Sequence, residues 1–91
     1  MACFVASGHS AKTQLEIRNG QQYGMYQGWE LNGVGTETRN GFVIPLRSNF
    51  SITAQNSHDT LILNLVVRNT QTGSILFTKS ASKYGVISVR N

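Results

Sequence analysis

The sequence predicts an all-β fold, a small antiparallel β-sandwich of about seven or eight strands. Three observations carry that expectation. Apolar and polar residues alternate with a period of two in several segments, the pattern of half-buried strands. Three Asn-Gly pairs, Asn19-Gly20, Asn32-Gly33 and Asn40-Gly41, punctuate the chain, and both residue types tolerate the positive φ that tight hairpins need. Good helix formers are scarce and never cluster.

The elements follow in order. In 13–18, Leu15 and Ile17 face one side while Gln14, Glu16 and Arg18 face the other. In 22–31, one side reads Tyr23, Met25, Gln27, Trp29, Leu31 and the other Gln22, Gly24, Tyr26, Gly28, Glu30. The first set is the greasier and is expected to face the core. Phe42, Val43 and Ile44 run into Pro45, whose missing N–H places this strand at an edge or bulge. In 49–55, Phe50, Ile52 and Ala54 alternate with polar residues. The run 60–69 is nearly continuous in apolar residues, broken only by Asn64. It reads as a central strand buried on both faces, with Asn64 as an amide needing a partner. Segments 74–79 and 85–90 complete the set, through Ile75 and Phe77, then Val86 or Ile87 and Val89. Polar turns at 56–59 and 69–73 separate the later strands. The spacings of the Asn-Gly pairs differ, so no internal repeat is supported, and residues 1–91 are expected to form one domain.

Composition narrows the function classes. Of 91 residues, 40% are apolar and 13% charged; the rest is rich in neutral amides and hydroxyls. Eight Lys and Arg against four Asp and Glu give a net charge of +4, but the basic residues are dispersed. One cysteine, Cys3, excludes an internal disulfide framework and a cysteine-based zinc cluster. The apolar start, Met1 to Ala6, lacks a basic leader region and is too short for a signal peptide. A cytoplasmic protein is expected, or one secreted without a recognisable signal. The triplet Asn49-Phe50-Ser51 matches the N-glycosylation pattern, relevant only to a secreted chain.

Catalytic chemistry finds little material. The carboxylates are Glu16, Glu30, Glu37 and Asp59, and the histidines His9 and His58. Ser57-His58-Asp59 is contiguous, whereas a hydrolytic triad is defined by geometry and seldom by adjacency; a polar turn is the expected role. No phosphate-binding glycine loop is present. The expectation is a non-enzymatic protein with no cofactor and no metal site.

Binding has better material. The stretch 23–32 holds two of the three tyrosines, the single tryptophan, two glycines and several amides. Tyr26 sits between Gly24 and Gly28, an arrangement expected to leave its ring open to a ligand. Sugars suit such a surface, because their C–H faces stack on aromatics while hydroxyls bond to amides and carboxylates. Tyr26 or Trp29 is therefore expected to stack. Glu30, Asn32, Gln22 and Gln27 are expected to hydrogen-bond, with Arg39 in support. The leading expectation is a lectin-like module for glycans or glycosylated headgroups, with a thin core supplemented by homodimerisation or a higher homo-oligomer. A lipid-binding defence or toxin protein at a membrane surface is the second reading. A nucleic-acid-binding or virion structural protein is the third, resting on dispersed arginines and stackable tyrosines.

From Thr13 to about Gly85 the layout resembles that of the aegerolysins. A first strand ends in a basic residue and Asn, Gln14-Leu15-Glu16-Ile17-Arg18-Asn19. Gly41-Phe42-Val43-Ile44-Pro45 precedes the alternating strand Phe50-Ser51-Ile52-Thr53-Ala54-Gln55-Asn56-Ser57, and a later strand leads into Thr72-Gly73. The resemblance implies a cytosolic β-sandwich that docks on membrane lipids and assists pore formation. The chain departs from that layout in being shorter, in being basic, and in lacking the aromatic- and cysteine-containing stretch that follows. No functional residue is carried over.

Overall fold

The computed structural model describes residues 3–9, 13–27, 31, 33–38, 41–57 and 60–91. Among them are nine strands: β1 (Phe4–His9), β2 (Thr13–Asn19), β3 (Gln22–Gln27), β4 (Thr36–Thr38), β5 (Gly41–Leu46), β6 (Phe50–Asn56), β7 (Leu63–Asn69), β8 (Ile75–Ala81) and β9 (Val86–Arg90). They form two antiparallel sheets, one ordered β4-β5-β1-β7-β8 and the other β3-β2-β6-β9. Both sheets turn their apolar sides to one core built from Leu15, Ile17, Leu31, Phe42, Ile44, Leu46, Phe50, Ile52, Leu63, Leu65, Val67, Ile87 and Val89. The β-sandwich expected from the alternation is the fold observed.

Four strands follow the sequence pattern closely. Leu15 and Ile17 of β2, Phe50, Ile52 and Ala54 of β6, and Ile87 and Val89 of β9 are buried, with polar neighbours outward. Val86 is outward and 60% exposed, so Ile87 is the core residue of that pair. In β5, Phe42, Ile44 and Leu46 are buried. Pro45 falls beyond β4, which reaches only residues 41–43. The carbonyl of Pro45 accepts from Asn19 Nδ2 at 3.2 Å, so its outer side faces away from β1. The missing N–H costs the sheet nothing there.

Turn chemistry also follows. Asn19 and Gln22 close the β2–β3 hairpin around Gly20, which has φ +66°. The β7–β8 turn is held by Asn69, whose Oδ1 accepts the N–H groups of Gln71 at 2.8 Å and Thr72 at 3.2 Å. Gly73 supplies a φ of +76°, a value an L side chain rarely adopts. Asn32, Asn40, His58 and Asp59 lie outside the described residues.

Two expectations are corrected, and one strand was not expected at all. The run 60–69 is not buried on both faces. Its strand begins at Leu63; Leu63, Leu65 and Val67 face the core, while Asn64 and Arg68 are exposed. Asn64 thus needs no buried partner, and Leu61 and Ile62 lie ahead of the strand, 45% and 56% exposed. The buried amide is Asn56 instead. Its Nδ2 donates to Leu61 O at 2.6 Å and Ala81 O at 3.1 Å, and its N–H to Gly85 O at 2.9 Å. Asn56 therefore ties the 60–62 segment, the end of β8 and the start of β9 to the end of β6.

The N-terminal apolar stretch, for which the alternation gave no strand, enters the fold as β1 between β5 and β7. Its inward residues are Phe4, which packs against the core beside Phe50, and the small Ala6 and Gly8, with the Phe42 ring over Gly8. The second correction concerns β3. Tyr23 and Met25, expected in the core, are outward, 53% and 72% exposed. Gly24 and Tyr26 pair with the core residues Ile17 and Leu15 and share their side, and Tyr26 packs half-buried against the core.

Candidate functional site

The outer face of the four-stranded sheet is set by register. Across β3, β2, β6 and β9, one row reads Gln27, Gln14, Gln55, Val86. The next reads Met25, Glu16, Thr53, Ser88, and the third Tyr23, Arg18, Ser51, Arg90. The three glutamines are exposed and stand side by side on adjacent strands. Strand spacing places neighbouring amides about 5 Å apart. With Glu16, Met25 and Thr53 they surround a shallow depression of about 540 Å³. Thr53 Oγ1 lies 3.5 Å from Ser88 Oγ, extending the polar surface toward β9. Arg18 sits over the ring of its cross-strand partner Tyr23, 5.4 Å from the centroid, a cation–π contact that orients the tyrosine at the sheet edge.

A second depression, of about 400 Å³, opens between the β3 edge of this sheet and β5 of the other. Ile17, Ile44 and Leu46 lie beneath it; Tyr26, Val34 and Pro45 wall it; Gln22, Tyr23 and Arg47 stand at its rim. Asn19 braces it by accepting the Arg47 N–H on Oδ1 at 2.7 Å while donating to Pro45.

Of the residues expected to bind, Tyr26 and Gln22 meet at the second depression and Gln27 lies on the outer face; Tyr26 borders both. Trp29, Glu30, Asn32 and Arg39 lie outside the described residues. The reason given for Tyr26 changes. A Cβ on Gly24 would fall 2.5 Å from Cζ of Tyr26, so the bare glycine accommodates the tyrosine's own ring. The face of the ring toward Gly24 is thus closed to a ligand. Sequence reasoning missed Gln14, Gln55 and Arg47. The first two become visible once 13–18 and 49–55 are paired in antiparallel register. Arg47 follows Leu46, the last residue of β5, and only the packing of the two sheets brings it to the hairpin.

Among the described residues no group of three or more His, Cys, Asp or Glu side chains is placed to hold a metal ion. No described helix is long and apolar enough to cross a membrane. No family model, curated protein or solved structure matches the chain. The likeness to the aegerolysin layout therefore stands on the sequence pattern alone.

Proposed function

We propose that the protein is a non-enzymatic recognition module that binds a glycan across the outer face of its four-stranded sheet. The observation that supports this reading is the row Gln27, Gln14, Gln55. An amide carries both donors and an acceptor, the complement of a sugar hydroxyl. The spacing along the row, about 5 Å, is close to the length of one pyranose unit. Successive residues of a chain lying across the strands then meet successive amides. Met25, 72% exposed beside this row, offers an apolar, polarisable surface to the C–H face of a ring. Glu16 supplies an acceptor in the same depression.

A glycan array followed by calorimetry tests the proposal. The double variant Q14A/Q55A deletes two exposed amides worth about 1 kcal/mol each in net hydrogen bonding. It is expected to weaken binding about tenfold or more without lowering the melting temperature. Absence of binding on the array at high protein concentration, or undiminished binding by the double variant, rejects the reading.

A second reading, docking on a lipid surface, draws on another feature. Asn56 gathers Leu61, Ala81 and Gly85 at one end of the sandwich. Leu61, Ile62 and Tyr84 are 45%, 56% and 54% exposed, aliphatic and aromatic groups of the kind that settle at a bilayer interface. Vesicle flotation unaffected by free sugar separates this reading from the first.

A further inference from the structure

We infer that the depression between β3 and β5 is a separate binding site for a single acidic sugar ring, a uronic acid or its equivalent. Its position, lining and charge point there independently of the amide row.

Ile17, Ile44 and Leu46, 4% exposed or less, form a fixed base beneath the depression, and Val34 and Pro45 give it apolar surface. Tyr26 adds an aromatic wall. The rim is polar, with the Gln22 amide and the Tyr23 side chain. Apolar and aromatic walls under a polar rim fit a pyranose, which has C–H faces and hydroxyl edges. The volume, about 400 Å³, lies near the lower end of small-ligand sites. It suits one ring, whereas the amide row suits a chain.

Charge selects the acid. Arg47 stands at the rim, and no carboxylate lines the depression among the described residues. Its backbone N–H is fixed by Asn19 Oδ1 at 2.7 Å. Its Cδ is 3.3 Å from the place a Cβ on Gly20 would occupy, so the stem rests on the bare turn glycine. That leaves the guanidinium anchored at its base, lowering the entropy lost when it clasps an anion. A guanidinium presents parallel N–H donors matched to a carboxylate. Arg18, over the Tyr23 ring at 5.4 Å, adds a second positive charge beside the rim.

Amide-resolved NMR titration of the whole chain with glucuronate, glucose and benzoate tests the inference. Glucuronate is expected to shift the amides of Gly20, Gly33, Val34 and Arg47 and to bind about tenfold tighter than glucose, the increment of one charge-assisted pair. Benzoate, which lacks hydroxyls, is expected to bind more weakly than glucuronate. R47Q keeps the backbone bond to Asn19, so its ligand-free spectrum should hold while the preference for glucuronate disappears. V34W, which fills the depression, should abolish the shifts. Equal affinity for glucose and glucuronate, a preference that survives R47Q, or shifts that survive V34W each overturn the inference. Benzoate binding as tightly as glucuronate overturns the sugar assignment. Shifts confined to Gln14, Gln27 and Gln55 would place the ligand on the sheet face and reject this site while leaving the function proposed above standing.

Discussion

Gly8 is a tight point of the core, and replacing it gives a worked test of the packing. Gly8 lies in β1 opposite Phe42 of β5 and Leu65 of β7. A Cβ built there would fall 2.5 Å from Cε1 and 3.0 Å from Cε2 of the Phe42 ring. Carbon atoms in contact prefer about 3.5–4.0 Å, so ring or strand must move by roughly 1 Å. Phe42 is 1% exposed and has no open side to move into. Overpacking of this kind costs about 1–3 kcal/mol. Restricting the unfolded chain by Gly→Ala returns about 0.4–1 kcal/mol. The net expectation for G8A is a loss of about 1–2 kcal/mol, or roughly 5–15 °C in melting temperature for a chain of this size. F42L removes the obstructing ring edge and by itself leaves a cavity, costing about 1–3 kcal/mol. In G8A/F42L the new methyl occupies part of that space, so the double variant should be at least about 1 kcal/mol more stable than the sum of the single losses predicts. Urea unfolding of all four proteins, followed by far-ultraviolet circular dichroism, gives the cycle. A neutral G8A, or additivity within about 0.5 kcal/mol, would refute the reasoning.

Two further outcomes follow from the hydrogen bonds and the backbone. N56A removes two donations from a fully buried amide, to Leu61 O and Ala81 O, and is expected to cost about 2–3 kcal/mol; hydrogen exchange should show the loss of protection centred on Asn56, Leu63 and Gly85, and an unchanged exchange pattern would deny Asn56 its bracing role. The turn from β8 to β9 places Lys83 at φ +31° and Tyr84 at φ +63°, closed by Gly85 N–H to Ser82 O at 2.7 Å. Two left-handed non-glycine residues in sequence are costly, so K83N/Y84G, which installs residues at ease there, should raise stability by about 1 kcal/mol in the same urea assay; a loss would mean that the Lys and Tyr side chains hold the turn by contacts that outweigh the strain.

Much of the architecture was legible because one force dominated locally. In β2 and β6 the alternation is clean, since a strand flanked on both sides inside a sheet has one wet face and one dry face. Asn69 and Gly73 announced their turn because few other residues cap or turn a chain that way. The strand β1 was hidden by the same logic. Its dry side carries Phe4, Ala6 and Gly8; Gly8 is bare because the Phe42 ring fills the space above it, so the later half of the segment shows little apolar contrast. In β7 the run Leu61 to Val67 suggested burial on both faces. Leu61 and Ile62 instead belong to the segment before the strand, and Asn64 and Arg68 mark the outward face of an ordinary half-buried strand.

The inverted face of β3 has a more specific cause, and the sequence contained the means to find it. Hydrophobicity alone favours Tyr23, Met25 and Leu31 over Gly24 and Tyr26. An edge strand of a sandwich, however, leaves one flank open, so apolar residues on its outer side are tolerated there and glycine on its inner side is filled by a neighbouring ring. Hairpin parity is the stronger constraint. A two-residue loop pairs an odd-numbered residue of the first strand with an even-numbered one of the second whether it holds Asn19-Gly20 or Gly20-Gln21. Leu15 and Ile17 are fixed inward by their own alternation, so any such loop turns Gly24 and Tyr26 inward with them, as the observed pairs Ile17 with Gly24 and Leu15 with Tyr26 show. Because register moves every side chain of a strand together, that one constraint relocates the whole candidate site. It releases Met25 and Gln27 to the outer face beside Gln14 and Gln55, where the amide row forms, and sends Tyr26 to the edge depression with Arg47. The two surfaces thus share a single strand, one drawing mainly on its outward residues and the other mainly on its inward ones. A one-residue lengthening of the 20–21 loop would exchange them and should abolish ligand binding at both sites together.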